Sequence, residues 1–365
     1  MRPRGPGWLG SGGVRRLAPF VVLSVVALVA GALAGRRGER FHEPESVVAL
    51  TRSIGEVVPS SLARHHVPGA AVALVRDGRL VWSAGFGVRD VRTRVPVTRD
   101  TRFQVASVSK AVSAFGLLRL AAARGVSVDA PLRLRDWRPP ASAFEARGIT
   151  LRRLLSHTAG LSVPGYVGVS PDRPLGSLTD SLRGRTGDAG PVRLVSEPGT
   201  SAAYSGGGYT VAELWATEVS GEPFAELMRD TVLRPLGMNA SGYDQVDAPA
   251  DATGHDAHER PLPAYRFAEH AAAALQSTAP DMGRFVAALP ASMMRPAPAT
   301  GGAWGMGLEL RELRDGTRMV FHIGNNRGWQ SRIAAFPDRG WGLVVLTNSD
   351  NGAGVWDDVL RELVE

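Results

Sequence analysis

The stretch GAAVALVRDGRLVWSAGFGV, residues 69–88, decides the fold. Two apolar runs flank Asp77-Gly78, the strongest short-range hairpin signal, because such a turn needs φ > 0 at its centre. The runs therefore read as two antiparallel strands. Near the other end of the sequence, RMVFHIG (318–324), WQSRIAAFP (329–337) and WGLVVLTNS (341–349) read as three more. Only the turns at 325–328 and 338–340 separate them, which suffices for antiparallel neighbours. A helix at 46–64 precedes the first pair, and the amphipathic segment VWDDVLRELV (355–364) follows the last strand.

Between these ends the chain is helical and loop-rich. Helices are expected over 107–124, 151–156, 209–219 and 223–232, with long loops across the Gly-, Pro- and Ser-rich stretch 162–195. Thr278-Ala279-Pro280-Asp281 reads as a helix cap with an early proline and an acid at the third position. No internal repeat is visible. The expected fold class is α+β: an antiparallel sheet flanked by N- and C-terminal helices, with a large helical insertion. The sheet part is 42–105 and 291–365, the helical part 106–290, and together they make one domain over 42–365.

The chain of 365 residues is 44% hydrophobic and 21% charged, enough for a large core. It has no cysteine, which excludes disulfides and thiolate metal sites. The net charge of +7 is misleading, because residues 1–40 carry seven arginines and one acid, leaving the rest near neutral. No nucleic-acid partner is implied. Arg15 and Arg16 precede the apolar run LAPFVVLSVVALVAGALA (17–34), which ends in Ala32-Leu33-Ala34. Residues 1–41 are therefore expected to act as an export signal, either cleaved or kept as a membrane anchor through 17–34. The protein is expected outside the cytoplasm, secreted or held at the outer face of the membrane.

The chain contains 41 arginines and one lysine, Lys110, in ASVSK (106–110). A guanidinium cannot lose its proton in a protein, whereas an ammonium can. A base is the one task that arginine could not perform here. Ser107 lies three residues before Lys110 at the start of a helix, so the two share a face. A serine hydroxyl is a weak nucleophile until a base takes its proton. Lys110 can do so if burial lowers its pKa by roughly three units.

With these residues in view, the chain resembles the β-lactamase-related serine hydrolases, the group of class C β-lactamases, D-alanyl-D-alanine carboxypeptidases and related esterases. The resemblance rests on ASVSK, ITLRRLLSHTAGL (149–161), PGTSAAYSGGGYTVAELWATEVSG (198–221), LRPLGM (233–238), LQSTAPDMGRFVAAL (275–289) and HIGNNRGW (322–329), in that order. It implies Ser107 as nucleophile, Lys110 as its base and Tyr204 in the proton relay to the leaving group. It implies His322 lining the site from a strand. It also implies an oxyanion hole from the backbone N–H groups of Ser107 and Asn325, with Gly324 allowing close approach to substrate. No cofactor or metal is needed.

Two positions depart from the family pattern. Gly206 stands where the tyrosine motif usually carries asparagine, and is read as widening the site. Ile323 stands where a hydroxyl residue usually helps bind a substrate carboxylate. Both weaken the case for β-lactams and D-alanyl peptides. Substrates are therefore ranked as a carboxylic ester or unusual amide, then a D-amino-acid peptide, then a β-lactam. The competing expectation is a penicillin-binding-like sensor that acylates with negligible turnover. Arg327 is read either as a contact for a substrate carboxylate or as a solvated turn residue. His157 is read as structural. His255 and His258 are three apart among acids, but no H-E-x-x-H pattern supports a metal site.

Overall fold

The structure, a computed structural model, describes residues 39–245 and 251–365. Residues 1–38 of the leader expected over 1–41 lie outside them. Helix α1 (Val47–His65) leads into the hairpin β1 (Gly69–Arg76) and β2 (Arg79–Gly87), which turns at Asp77 and Gly78 with φ of 48° and 72°. Strands β6 (Arg318–Asn326), β7 (Trp329–Phe336) and β8 (Trp341–Thr347) follow much later, then α8 (Ala353–Leu360). β8 pairs antiparallel with β1, so the two ends of the domain close one sheet. Its order is β2-β1-β8-β7-β6-β5, where β5 is Glu309–Glu312. That short, charged edge strand gives no alternating apolar signal and was not expected.

Alternation along the central strands builds two cores. Val72 and Leu74 of β1, with Leu343 and Val345 of β8, meet Ile54 and Val58 of α1 and Val355 and Val359 of α8. Asp358 ties the two terminal helices together, accepting from Ser61 Oγ at 2.6 Å and Arg64 Nη1 at 2.9 Å. Ala71, Ala73 and Val75 face the other way, toward Met282, Phe285 and Val286 of α7 (Ala279–Ala287). Sequence order groups α7 with the helical part, but it packs on β1, β2 and β8. Thr278 caps it, its side chain accepting from the Asp281 N–H.

The remaining elements are α2 (Ser109–Ala123), α3 (Leu151–Leu155), α4 (Leu178–Leu182), α5 (Gly206–Ser220) and α6 (Phe224–Met228), with a two-residue pair of strands, β3 (Phe103–Gln104) and β4 (Gln276–Ser277). α4 interrupts the expected loops, started by a Ser177/Asp180 capping box. α5 begins three residues before the expected start, because Ser205 caps it through the Gly208 N–H. The helix expected over 223–232 is α6 continued by a π-turn, Arg229–Leu233.

Candidate active site

The site forms where a short 3₁₀ turn, Ala106–Val108, enters α2 beside β6. Ala106 has φ 50°, a left-handed conformation that costs energy for a residue with a Cβ. Three bonds hold the turn there. Val105 N–H donates to Leu275 O at 3.0 Å, Ser331 Oγ donates to Val105 O, and Ser109 Oγ donates to Ala106 O. The turn presents Ser107 partly exposed, while Lys110, one turn on, is 1% exposed.

Lys110 Nζ donates to Ser107 Oγ at 3.0 Å and to Ala272 O at 2.7 Å. Burial lowers its pKa from 10.5 to about 7. The Ala272 carbonyl belongs to a π-turn, His270–Ala274. Glu213 of α5 fixes that turn, its carboxylate accepting from Ala271 N at 2.8 Å and pairing with His270 Nδ1 at 2.8 Å. Glu213 and Ala272 were not expected in the site. An acid on a helix reads as a solvated face, and a backbone carbonyl leaves no trace in the sequence.

Tyr204 lies beside Lys110, whose Nζ sits 5.1 Å from its ring centroid. Its hydroxyl interacts with Ser107, and burial raises its pKa, so it stands as a neutral phenol. Ser107, Lys110 and Tyr204 are thus brought together. Three rings surround Tyr204: His157 at 4.4 Å between centroids, Trp304 at 5.7 Å and His322 at 6.4 Å. Trp304 was not expected, since GGAWGMG has no helix or strand period.

The two histidines hold opposite tautomers. Ser205 N–H donates to His157 Nδ1 at 3.1 Å, so the proton of that ring is on Nε2. His322 Nδ1 lies 2.9 Å from the Ile323 carbonyl and must carry the proton there, leaving a bare lone pair on Nε2. Burial, then the neighbouring Lys110, lowers the His322 pKa to about 3, and His157 is also pushed well below its ordinary value. Both rings are neutral near pH 7, so His322 brings no cation to the site.

Asn325 lies on β6 past its pairing with β5, which ends at Phe321. Strand N–H groups alternate in direction. That of Arg318 points to Asp338 in the β7–β8 turn, so that of Asn325 points the opposite way, to the uncovered edge. Gly324 permits a close approach, but the neighbour is protein. A Cβ at 324 would lie 2.3 Å from both Val105 O and Ser331 Oγ. Gly324→Ala must push β6 off the turn that carries Ser107. The expected result is a loss of about 1–3 kcal/mol in stability, the usual scale of overpacking. Acylation is expected to fall about a hundredfold, as for a 1 Å misplacement. Urea melts and single-turnover acylation check both. Unchanged acylation would separate this contact from the chemistry.

Gly206 also differs from its expectation. A Cβ there would lie 3.1 Å from Tyr166 Cε2, 3.3 Å from Pro164 O and 3.4 Å from Val163 O. The space beside Gly206 is taken by Tyr166, whose hydroxyl lies 2.6 Å from Thr210 Oγ1. Gly206→Asn is therefore expected to cost about 1–3 kcal/mol by overpacking and to change substrate preference little. The ratio of kcat/KM for an aryl ester and an acyl-D-alanyl thioester checks the second part. A shift toward the thioester without loss of stability would show that Tyr166 yields.

Arg327 is exposed, with Nη1 2.5 Å from the Tyr265 hydroxyl. His255 is buried away from the site, with Nδ1 3.0 Å from Asn348 O, while His258 is exposed.

An antiparallel sheet closed by the two ends of the domain, with Ser107, Lys110 and Tyr204 at the joint between sheet and helices, defines a β-lactamase-type hydrolase fold. The chain belongs to the Beta-lactamase family, whose model matches residues 54–364. Among curated proteins it is 29% identical over 341 residues to penicillin-binding protein 4 of Amycolatopsis lactamdurans, covering 82% of this chain and 86% of that one. It is 29% identical over 232 residues to esterase EstB of Burkholderia gladioli, covering 59% and 57%. Among solved structures, D-amino acid amidase from Ochrobactrum anthropi SV3 shares the fold, with TM-score 0.71 at 22% identity over 86% of this chain and 98% of that one.

Proposed function

We propose that this protein is an exported serine hydrolase that forms a covalent acyl-enzyme on a carboxylic ester or amide. The observation that carries the reading is Lys110 Nζ, buried and 3.0 Å from Ser107 Oγ, with a pKa of about 7. Near neutral pH about half of it is an amine, the condition for a general base. Ser107 Oγ attacks the substrate carbonyl carbon as its proton passes to Lys110. The carbonyl oxygen takes the negative charge, facing the Ser107 and Asn325 N–H groups, whose stabilisation is worth several kcal/mol in such sites. The C–O or C–N bond then breaks, and Tyr204 gives its proton to the leaving group while drawing one from Lys110. Water repeats the sequence on the acyl-enzyme, returning Ser107 and releasing the acid.

Two features support an uncharged ester or amide ahead of a D-alanyl peptide or a β-lactam. His322 and Ile323 supply neither a cation nor a hydroxyl for a substrate carboxylate. Tyr166 takes the space beside Gly206, where the family's asparagine would stand. The likeness to an esterase supports the same ranking. Export rests on Arg15, Arg16 and the apolar run 17–34. Intact-mass measurement after exposure to a fluorophosphonate, a p-nitrophenyl ester and a penicillin tests the reading. An adduct on Ser107 with all three, but rapid release only after the p-nitrophenyl ester, is expected. A persistent adduct from every acyl donor would indicate the slow sensor. No adduct with any reagent would overturn the serine mechanism.

A further inference from the structure

Away from the active site, a cleft of about 460 Å³ is lined by Arg135, Arg138, Arg183 and Arg193, with Trp137, Leu182 and Pro191 among its walls. Its one carboxylate is Asp136. Elsewhere in the molecule arginines are often matched by carboxylates at short range, as in Arg102–Asp251 at 2.6 Å, Arg152–Asp129 at 2.7 Å and Arg284–Asp281 at 2.6 Å. The cleft breaks that habit. Arg138 and Arg193 have no side-chain partner among the described residues. Arg183 donates through Nη2 to a backbone carbonyl, that of Asp136, at 3.0 Å, and of the nearby acids its charge acts on Asp180 without a direct pair. Arg135 has only Glu218, 3.8 Å away.

Glu218 is itself engaged elsewhere. Its carboxylate accepts from Arg135 N at 2.8 Å and Asp136 N at 3.0 Å, so the acid of α5 holds the loop backbone rather than cancelling the charge. The opposite wall is held equally firmly, since Arg193 N–H donates to Ser162 Oγ at 2.8 Å and Ser162 N–H to Arg193 O at 2.9 Å. Both walls are therefore fixed at the backbone, while the guanidiniums that rim them keep unused donors. Four guanidiniums line one cleft with a single carboxylate, and an anion would balance that charge. Guanidinium forks match the oxygens of phosphate and carboxylate in pairs. Several forks around one cleft suit a tetrahedral anion, which offers more acceptor sites than a carboxylate can.

We propose that this cleft is a binding site for a phosphate group, either in the diester headgroup of an anionic lipid or as free phosphate or its monoesters. The edge of Trp137, with Pro191, gives an organic substituent an apolar wall beside the charged rim.

Calorimetric titration of the full chain with inorganic phosphate, glycerophosphoglycerol and acetate, at low and physiological salt, tests the site. Saturable binding of one phosphate-bearing probe per chain, at least tenfold tighter than acetate, is expected. Arg138→Gln/Arg193→Gln is expected to weaken it at least tenfold. Arg52→Gln/Arg79→Gln, which removes the same charge elsewhere on the exposed surface, is expected to change it less than twofold. Tighter binding of glycerophosphoglycerol than of phosphate assigns a lipid headgroup, and the reverse order assigns free phosphate or a monoester. Equal loss in the two double variants, parity with acetate, or no saturable binding of either phosphate probe would overturn the proposal. Both double variants should melt within a few degrees of the wild type, because all four side chains are exposed.

Discussion

Ser107→Ala is expected to abolish covalent acylation, and Lys110→Met to slow it by at least about a hundredfold, the lower end of general-base contributions. Methionine is the informative replacement at 110. It fills a similar volume without a proton acceptor, whereas arginine would place an unpaired, permanently charged group at a 1% exposed position. The pH profile carries a sign. In the proposed mechanism Lys110 acts as the base only when neutral, so the wild-type acylation rate should rise through about pH 7 and level off above it. Tyr204, raised by burial, and His322, neutral above about pH 3, add no further limb in that window. Stopped-flow acylation by a p-nitrophenyl ester from pH 5 to 9 measures the curve. A Lys110→Met enzyme with near-normal rate, or a wild-type rate flat across pH 7, would remove lysine from the base role.

The parts of this structure that are legible in the sequence depend on neighbours. The Asp77-Gly78 hairpin, the three C-terminal strands and the Thr278 cap are written in a few adjacent residues, and each stands where local chemistry puts it. Ser107 and Lys110 are legible for the same reason, and also because one lysine among 41 arginines asks for an explanation. What surrounds them is assembled from afar. The Ala272 carbonyl that holds Lys110, and the Glu213 that holds the turn carrying it, come from two distant segments. The glycines show the limit most plainly. Gly206 and Gly324 both read as room for substrate. In the fold one faces Tyr166, and the other faces Val105 and Ser331. A missing side chain announces close approach, but not by what.

Lys110→Met should also stabilise the protein near neutral pH while disabling it. The folded chain holds Lys110 at a pKa of about 7, against an ordinary 10.5 in the unfolded chain. Between those values the unfolded chain carries a proton that the folded chain lacks, so wild-type stability rises with pH across the interval, by about 1.4 kcal/mol per unit at most. Below pH 7 both states carry the proton and the full penalty is present, about 4–5 kcal/mol on this scale. Above 10.5 both are neutral and the penalty is gone. Methionine has no such term. The variant should gain most over wild type at and below pH 7, and the gain should shrink steadily toward pH 10. Urea unfolding of both proteins at pH 6, 7.5, 9 and 10 measures the difference directly. A constant difference across that range would mean that Lys110 keeps its ordinary pKa in the folded protein. The amine would then be a cation at neutral pH, and Ser107 would need another base.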